Sequence, residues 1–277
     1  MNRFSFSQFI DKLFPSPVRQ PKIGLVLGGG GARGFAHVGV IKVLEAQGIS
    51  PDIIVGTSVG SVVGALYAAG YTGYELQEIS LPMQRASVTS WIMPNRGFMS
   101  GEPLEQFINR MVKLQPVEKL QRVFAAVATD LKTGKEVVFR TGDTGKAVRA
   151  SCSVPGIFQP TEIEGKSYLD GGLVKPVPAS VARSMGADIV IAVNISNLPE
   201  NNQIKSTLDV LMQTFDIMSC SINRYELNQA DVLICPVTKE IDQTNLDDKH
   251  WAILEGEKAA TAALPEIKAK LKAFGEK

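Results

Sequence analysis

From Lys22 onwards, short apolar runs alternate with glycine turns and with stretches of helical spacing. The apolar run at 23–27 predicts a strand, and residues 35–47 place apolar side chains three or four positions apart, as an amphipathic helix does. The same order repeats in an apolar run at 52–55, a glycine turn and a helix of small residues at 59–69. This β-α-β-α order with short turns is typical of a parallel sheet covered by helices.

The rest of the chain adds elements of the same kinds. The runs 189–194 and 230–236 are as apolar as buried parallel strands. The runs 123–129 and 136–140 flank a Thr-Gly turn, which indicates an antiparallel hairpin. Further helices are predicted at 103–114, 208–222 and 254–271, the last one interrupted at Pro265. We therefore expect one α/β domain over residues 22–277.

The first 21 residues stand apart from this pattern and form a predicted N-terminal amphipathic extension. Apolar side chains recur there at helical spacing, at Phe6, Phe9, Ile10, Leu13 and Phe14. A helix of about ten residues is not stable alone in water, so this stripe must lie against something. Because the segment has few basic residues, docking on the domain or on a sister subunit is preferred over docking on a membrane.

A second apolar stretch has no regular spacing. It contains Trp91, Met93, Phe98 and Met99. Such a stretch is typical of a lid or a substrate-facing loop, and ordinary packing explains it about as well. Peripheral membrane contact, if it occurs, is expected through residues 4–14 or 91–99.

Composition and charge exclude several classes of protein. Lys and Arg number 29 against 28 Asp and Glu, so we expect no broad basic surface and no nucleic-acid partner. The three cysteines lack CxxC spacing, which argues against a disulfide framework or a zinc site, and no metal or cofactor is expected. Neither a membrane-spanning run nor a signal peptide is evident. The expected location is the cytoplasm, peripheral to the inner membrane at most.

The first glycine turn, GGGGARG at 28–34, suggests nucleotide binding. Gly29, Gly31 and Gly34 form a G-x-G-x-x-G pattern between a strand and a helix, the setting of a dinucleotide-binding turn. That interpretation needs an acidic residue at the end of the second strand, whereas Asp52 lies at its beginning. A P-loop needs Lys followed by Ser or Thr after the glycines, and neither pair is present. Nucleotide binding is therefore disfavoured.

The second glycine turn has the pattern of a nucleophile elbow. Gly56-Thr57-Ser58-Val59-Gly60 matches G-x-S-x-G between a predicted strand and a predicted helix. Small residues two before and two after the serine allow a tight bend, which exposes the hydroxyl at a helix N-terminus. Ser58 is therefore the candidate nucleophile. The alternative is a glycine-rich helix start that only packs on the sheet.

The two turns are expected to work together. In a parallel sheet both lie at the carboxyl ends of neighbouring strands, where such folds bind ligands. Glycines in the first turn would expose backbone N–H groups toward Ser58, as an oxyanion hole requires. We expect Arg33 to orient that loop through hydrogen bonds.

A serine nucleophile also needs a base. Neither His37 nor His250 lies on a loop after a late strand, where elbow hydrolases present their histidine. We therefore expect His37 either to pack in the interior or to support the site without touching the substrate, and His250 to be a surface residue. The better candidate is Asp170, since the glycines Gly171 and Gly172 leave its carboxylate unobstructed, although an Asp-Gly turn is also common in loops.

Together these segments resemble the patatin-like phospholipases, serine acyl hydrolases that use a Ser-Asp dyad. The resemblance runs from Lys22 to about Val237, through the segments GGGARGFAHVGV, GTSVG, ATDLKTGKEVVF, SCSVPGIFQP and DGGLVKPVP. It implies three α/β/α layers around a mostly parallel sheet, with no metal. It also implies roles for particular residues: Ser58 as nucleophile, Asp170 as base, the amides of Gly29, Gly30 and Gly31 with Arg33 as oxyanion hole, and Gly34, Gly56, Gly60, Gly171 and Gly172 as motif glycines.

The resemblance further implies a lipid or other acyl-ester substrate, cleaved by an enzyme of phospholipase A or lysophospholipase type. One departure is Lys175, which stands where many members of the family have asparagine. Two alternatives remain open from the sequence. The first is a non-catalytic regulatory or lipid-binding member of the same fold. The second is an acyltransferase that passes the acyl group to an alcohol.

Overall fold

A computed structural model of the chain describes residues 19–82, 94–95, 98–196, 200, 204, 207–238, 241 and 248–276. The predicted N-terminal stripe lies outside these residues, and so does most of the 91–99 stretch. The expectations for both segments therefore stay predictions. None of the described helices is both long enough and apolar enough to cross a membrane.

The described residues form ten strands. They are β1 (Ile23–Leu27), β2 (Ile53–Thr57), β3 (Pro94–Asn95), β4 (Phe98–Met99), β5 (Val123–Asp130), β6 (Glu136–Phe139), β7 (Thr161–Ile163), β8 (Lys166–Asp170), β9 (Ile189–Val193) and β10 (Val232–Ile234). Eight of these make one sheet in the order β10-β9-β1-β2-β5-β8-β7, with β6 paired to β5. The pairs from β10 to β5 are parallel, and β6, β7 and β8 add antiparallel pairs. The sheet is therefore mixed and mostly parallel.

Helices cover both faces of this sheet. In the described part of the chain they are α1 (Phe35–Ala46), α2 (Val59–Ala68), α3 (Gly73–Ser80), α4 (Glu102–Met111), α5 (Thr144–Ser151), α6 (Ala179–Ser184), α7 (Thr207–Glu226) and α8 (Lys249–Gly275). Side chains alternate between faces along a strand. Leu25 and Leu27 pack with α1, α2 and α8, whereas Val26 packs with α6 on the other side. The expected three-layer α/β/α fold is confirmed.

One predicted element differs from the structure. Helix α8 is not interrupted at Pro265, since it runs continuously from Lys249 to Gly275. A proline inside a helix removes one backbone hydrogen bond. Ala260 and Ile267, on either side of Pro265, are fully buried in the same core cluster as α1. The prediction of an interruption was wrong because this packing outweighs the lost hydrogen bond.

Candidate active site

The register of the sheet brings the ends of β2 and β8 together. Val127 of β5 pairs with Thr57 of β2, and the next residue, Ala128, pairs with Asp170 of β8. Strand β6 pairs with both of these β5 residues from the opposite edge. Strand β8 therefore continues along the edge of β5 where β2 stops, which places Asp170 beside the turn that carries Ser58.

The turn after β2 holds Ser58 in a strained backbone conformation. Ser58 has φ 53° and ψ −128°, and the next residue begins α2. A non-glycine residue in this region costs energy, which the surrounding structure must supply. A Cβ on Gly56 would overlap the backbone of Gly60, and a Cβ on Gly60 would overlap the carbonyl of Leu27. The spacing of the two glycines is therefore set by close backbone packing around the serine.

Two other serines support this turn. The amide of Ser58 donates to the hydroxyl oxygen of Ser151 over 2.9 Å, and that hydroxyl donates to the carbonyl of Val127 over 2.6 Å. The hydroxyl of Ser61 donates to the Ser58 carbonyl over 2.7 Å. The backbone polar groups of Ser58 are thus occupied by neighbouring side chains, and its hydroxyl lies close enough to Asp170 to lower the pKa of that carboxyl group.

Asp170 is a buried carboxyl group, and only one of its two oxygens accepts a hydrogen bond from the described residues. Its side chain is 1% exposed, and its Oδ1 accepts from the Gly172 amide over 2.7 Å. Its Oδ2 is buried and has no hydrogen-bond partner within the described part of the chain. Burial raises the pKa of Asp170 to about 7, and the Ser58 hydroxyl and the Gly172 amide offset part of that rise. The group can therefore change its protonation state near neutral pH.

The first glycine turn lies directly against Ser58, since a Cβ on Gly29 would be 3.4 Å from the Ser58 Cβ. The amide of Gly29 donates to the carbonyl of Pro176 over 2.9 Å. The amides of Gly30 and Gly31 have no acceptor among the described residues. The Gly29 amide thus holds the loop in place, and the expectation of an oxyanion hole at Gly29, Gly30 and Gly31 stays a prediction.

Arg33 and His37 fix the carbonyl groups of the same turn. Arg33 donates from Nε to the carbonyl of Gly30 over 3.2 Å. Burial lowers the pKa of His37 to about 4, and Nε2 of this neutral ring donates to the carbonyl of Gly28 over 2.8 Å. In a trans peptide the N–H points away from the preceding carbonyl, so holding the Gly30 carbonyl turns the Gly31 amide to the opposite side. Both side chains therefore hold carbonyl groups of this loop in place.

Three further motif glycines allow close packing around the site. A Cβ on Gly34 would overlap the side chain of Val59, the residue after Ser58. A Cβ on Gly171 would overlap a carbonyl of β5, and one on Gly172 would come within 2.6 Å of the Phe215 ring. The first glycine turn and the turn after Asp170 are therefore packed too closely for larger residues at these positions.

Two residues beside Ser58 and Asp170, namely Ser151 and Cys152, were not predicted from the sequence. Cys152 is a neighbour of Asp170, and burial together with the Asp170 charge raises the pKa of its thiol, which stays un-ionised. Both residues depend on helix α5, which was not predicted. The available signal was Asp143, an N-cap whose carboxylate accepts from the Lys146 amide over 2.8 Å.

Comparison with known sequences identifies the family. Residues 25–183 match the family model described as patatin-like phospholipase. The chain belongs to the patatin-like phospholipase family. The expected family is confirmed.

Several relatives of this patatin-like chain have curated names. An uncharacterized NTE family protein of Mycobacterium tuberculosis is 35% identical over 179 residues, which are 64% of this chain and 49% of that protein. The human patatin-like phospholipase domain-containing protein 6 is 36% identical over 194 residues, 65% of this chain and 14% of that protein. Lysophospholipase NTE1 of Pyricularia oryzae is 33% identical over 185 residues, 65% and 12% of the two chains. The chain thus spans about half the length of these relatives, or less.

Solved structures share the fold of this patatin-like chain at low identity. ExoU, in its complex with SpcU from Pseudomonas aeruginosa, matches with a TM-score of 0.54 at 16% identity, over 92% of this chain and 52% of ExoU. VipD from Legionella pneumophila matches with a TM-score of 0.52 at 12% identity, over 89% and 67% of the two chains. These matches support the mixed, mostly parallel sheet between helices.

Proposed function

We propose that this patatin-like chain is a serine acyl hydrolase that cleaves ester bonds of lipids through Ser58 and Asp170. The observation that carries the proposal is the buried Asp170 carboxyl, with a free Oδ2, beside a serine on a strained turn. Neither histidine competes for the role of base. His37 is neutral and hydrogen-bonded to the Gly28 carbonyl, and His250 is exposed on α8.

The proposed reaction has two stages, formation of an acyl-enzyme and its hydrolysis. Asp170 accepts the proton of the Ser58 hydroxyl while the serine oxygen attacks the ester carbonyl. The amides of Gly30 and Gly31 stabilise the oxyanion that forms, and the positive end of α2 supports the same charge. The alcohol leaves with the proton from Asp170, and water then hydrolyses the acyl-enzyme by the same steps.

The raised pKa of Asp170 predicts how the rate depends on pH. Asp170 must be ionised to act as a base, so kcat/KM should fall once the pH drops below about 7. Well below that pH, the loss should approach tenfold for each pH unit. The measurement is the rate on an uncharged short-chain ester across pH 4 to 9 at constant ionic strength.

A return to pH 8 before a second assay provides the control, because full recovery rules out acid unfolding as the cause. A rate that stays level down to pH 4 would count against Asp170 as the base.

A lipid substrate is supported by the family and by the surface of α7. The relative in Pyricularia oryzae is named a lysophospholipase. Helix α7 packs on the turn that follows Asp170 and exposes five large apolar side chains, Val210, Leu211, Ile217, Met218 and Tyr225. An exposed apolar surface beside an active site suits an amphiphilic substrate. We therefore favour a phospholipase A or lysophospholipase type over an esterase for small polar esters.

The test of this proposal is hydrolysis of a lipid panel followed by mass spectrometry. Phospholipids, lysophospholipids and acylglycerols are each presented in neutral mixed micelles, and different acyl chains at the two glycerol positions report which bond is cleaved. We expect free fatty acid and the matching deacylated lipid, with faster turnover for phospholipid or lysophospholipid. An acyl group that appears on an added alcohol instead would identify an acyltransferase. No product from any lipid would favour the non-catalytic alternative.

A further inference from the structure

Lys175 connects the aspartate turn to the strand that carries the nucleophile. Its amide donates to the carbonyl of Gly171 over 2.8 Å, which closes the turn after Asp170. Its carbonyl accepts from the hydroxyl of Thr57 over 2.7 Å, one residue before Ser58. The backbone of Lys175 is therefore hydrogen-bonded to one chain neighbour of Asp170 and to one chain neighbour of Ser58.

The side chain of Lys175 forms a largely buried ion pair with Glu226. The ammonium group contacts Glu226 Oε1 and lies 3.0 Å from the Ser180 hydroxyl oxygen. The side chains of Lys175 and Glu226 are only 21% and 8% exposed. Glu226 Oε2 accepts from the hydroxyl and the amide of Ser180, over 2.8 and 3.2 Å. Glu136 is a more distant partner of the ammonium, at 3.6 Å, and is half exposed.

Helix α7 covers the aspartate turn and ends at this ion pair. The ring of Phe215 packs on Gly172, and the hydroxyl of Ser219 donates to the Gly172 carbonyl over 3.4 Å. Glu226 is the last residue of α7. The helix therefore contacts the turn through two neutral side chains and is joined to Lys175 by a charged contact at its C-terminal end.

We propose that the Lys175–Glu226 ion pair is a positioning contact, which locks helix α7 onto the aspartate turn and holds Asp170 in register with Ser58. The catalytic consequence rests on the function proposed above. A misplacement of about 1 Å at a reacting group can slow a reaction 100-fold, so a device that holds this turn matters to the rate. Removal of one charged side chain from a buried ion pair leaves the other charge without its partner, and the aspartate turn is then free to shift.

The first test of this proposal does not depend on activity. In Lys175→Met, hydrogen exchange in the peptide covering residues 170–177 and in the last turn of α7 should become at least fivefold faster. Exchange in α1 should not change. Unaltered exchange at 170–177 would overturn the proposal whether or not the chain proves to be a hydrolase.

The second test is a double-mutant cycle on the rate of ester hydrolysis. Lys175→Met and Glu226→Gln should each lower kcat about tenfold with less than a twofold change in KM. Because the two residues act through one contact, the double variant should be no slower than the slower single variant. Independent effects that multiply in the double variant would contradict the proposal.

Two further variants separate positioning from general stability. Glu255→Gln removes a similarly buried carboxylate that pairs with Lys258 within α8, away from the aspartate turn, and should leave kcat unchanged. Lys175→Arg keeps the positive charge and should retain most of kcat, whereas a loss as large as that of Lys175→Met in a folded protein would argue against the ion pair. If wild-type protein hydrolyses ester and Ser58→Ala does not, unchanged kcat in the cycle variants refutes only the positioning role.

Discussion

Replacement of Ser58 by alanine should lower ester hydrolysis by more than roughly 10,000-fold, as loss of the nucleophile does in serine hydrolases. The same variant should lose all labelling by a fluorophosphonate probe, which reacts only with an activated serine. The overall fold should persist, since the change removes one hydroxyl group and leaves the Cβ and its packing contacts in place. Turnover, gel-based labelling and circular dichroism on matched samples measure the three outcomes.

Cys152 supplies the matched control for this prediction. Its thiol is a nucleophilic group beside Ser58 and Asp170, but its raised pKa keeps it un-ionised. Cys152→Ala should therefore still be labelled by the probe and should still hydrolyse ester. Undiminished labelling of Ser58→Ala, or loss of labelling in Cys152→Ala alone, would refute Ser58 as the nucleophile.

The sequence predicts the parallel part of the fold well because local signals are strong there. The run at 23–27 becomes β1 with the same bounds, and the predicted helix at 59–69 ends one residue earlier, at Ala68. Each element is followed by a glycine, Gly28 after β1 and Gly70 after α2, at which a Cβ would come too close to a neighbouring residue, so these two limits are set by nearby residues. The hairpin at 123–140 is also confirmed, as strands β5 and β6.

Contacts between distant segments could not be predicted in the same way. The proximity of Ser58 and Asp170 depends on the register of β5 with β2 and β8, and no local pattern encodes that register. Only the family resemblance pointed to it. The use of the Gly29 amide by Pro176 joins residues 147 positions apart, and a count of glycines cannot reveal which amides remain available.

The site combines two local costs that the surrounding fold must offset. Ser58 adopts a backbone conformation that is unfavourable for any residue with a side chain, and Asp170 is a buried carboxyl group with no cation beside it in the described part of the chain. Burial of a carboxylate raises its basicity and destabilises the folded state in the same step. The buried carboxylate thus lowers the stability of the fold at neutral pH, and it also gives Asp170 a pKa that suits the proposed role as a base.

Asp170→Asn should therefore abolish most of the activity and stabilise the protein at the same time. The rate should fall at least about 1,000-fold, since the amide cannot accept the serine proton. For stability the sign follows from the pKa of Asp170, which is about 7 in the folded chain against 3.8 for the free group. The folded state then binds more protons between these values, so the free energy of unfolding of the wild type falls as the pH rises from about 4 to 7. At pH 8 the variant should gain on the order of a few kcal/mol, and at pH 4 the gain should vanish.

Asp130→Asn provides a control with the opposite sign. Asp130 ends β5 at an exposed turn, where hydrogen bonds from Thr133 lower the pKa of its carboxyl group. Its ionised form stabilises the fold, so the amide should lower the melting temperature slightly at pH 8 and leave activity intact. Thermal unfolding of both variants and of the wild type at pH 4 and pH 8 measures whether each substitution raises or lowers the melting temperature. A melting temperature for Asp170→Asn below that of the wild type at pH 8 would mean that the carboxylate is stabilised by its site, and a carboxylate so stabilised would be too weak a base for the proposed reaction.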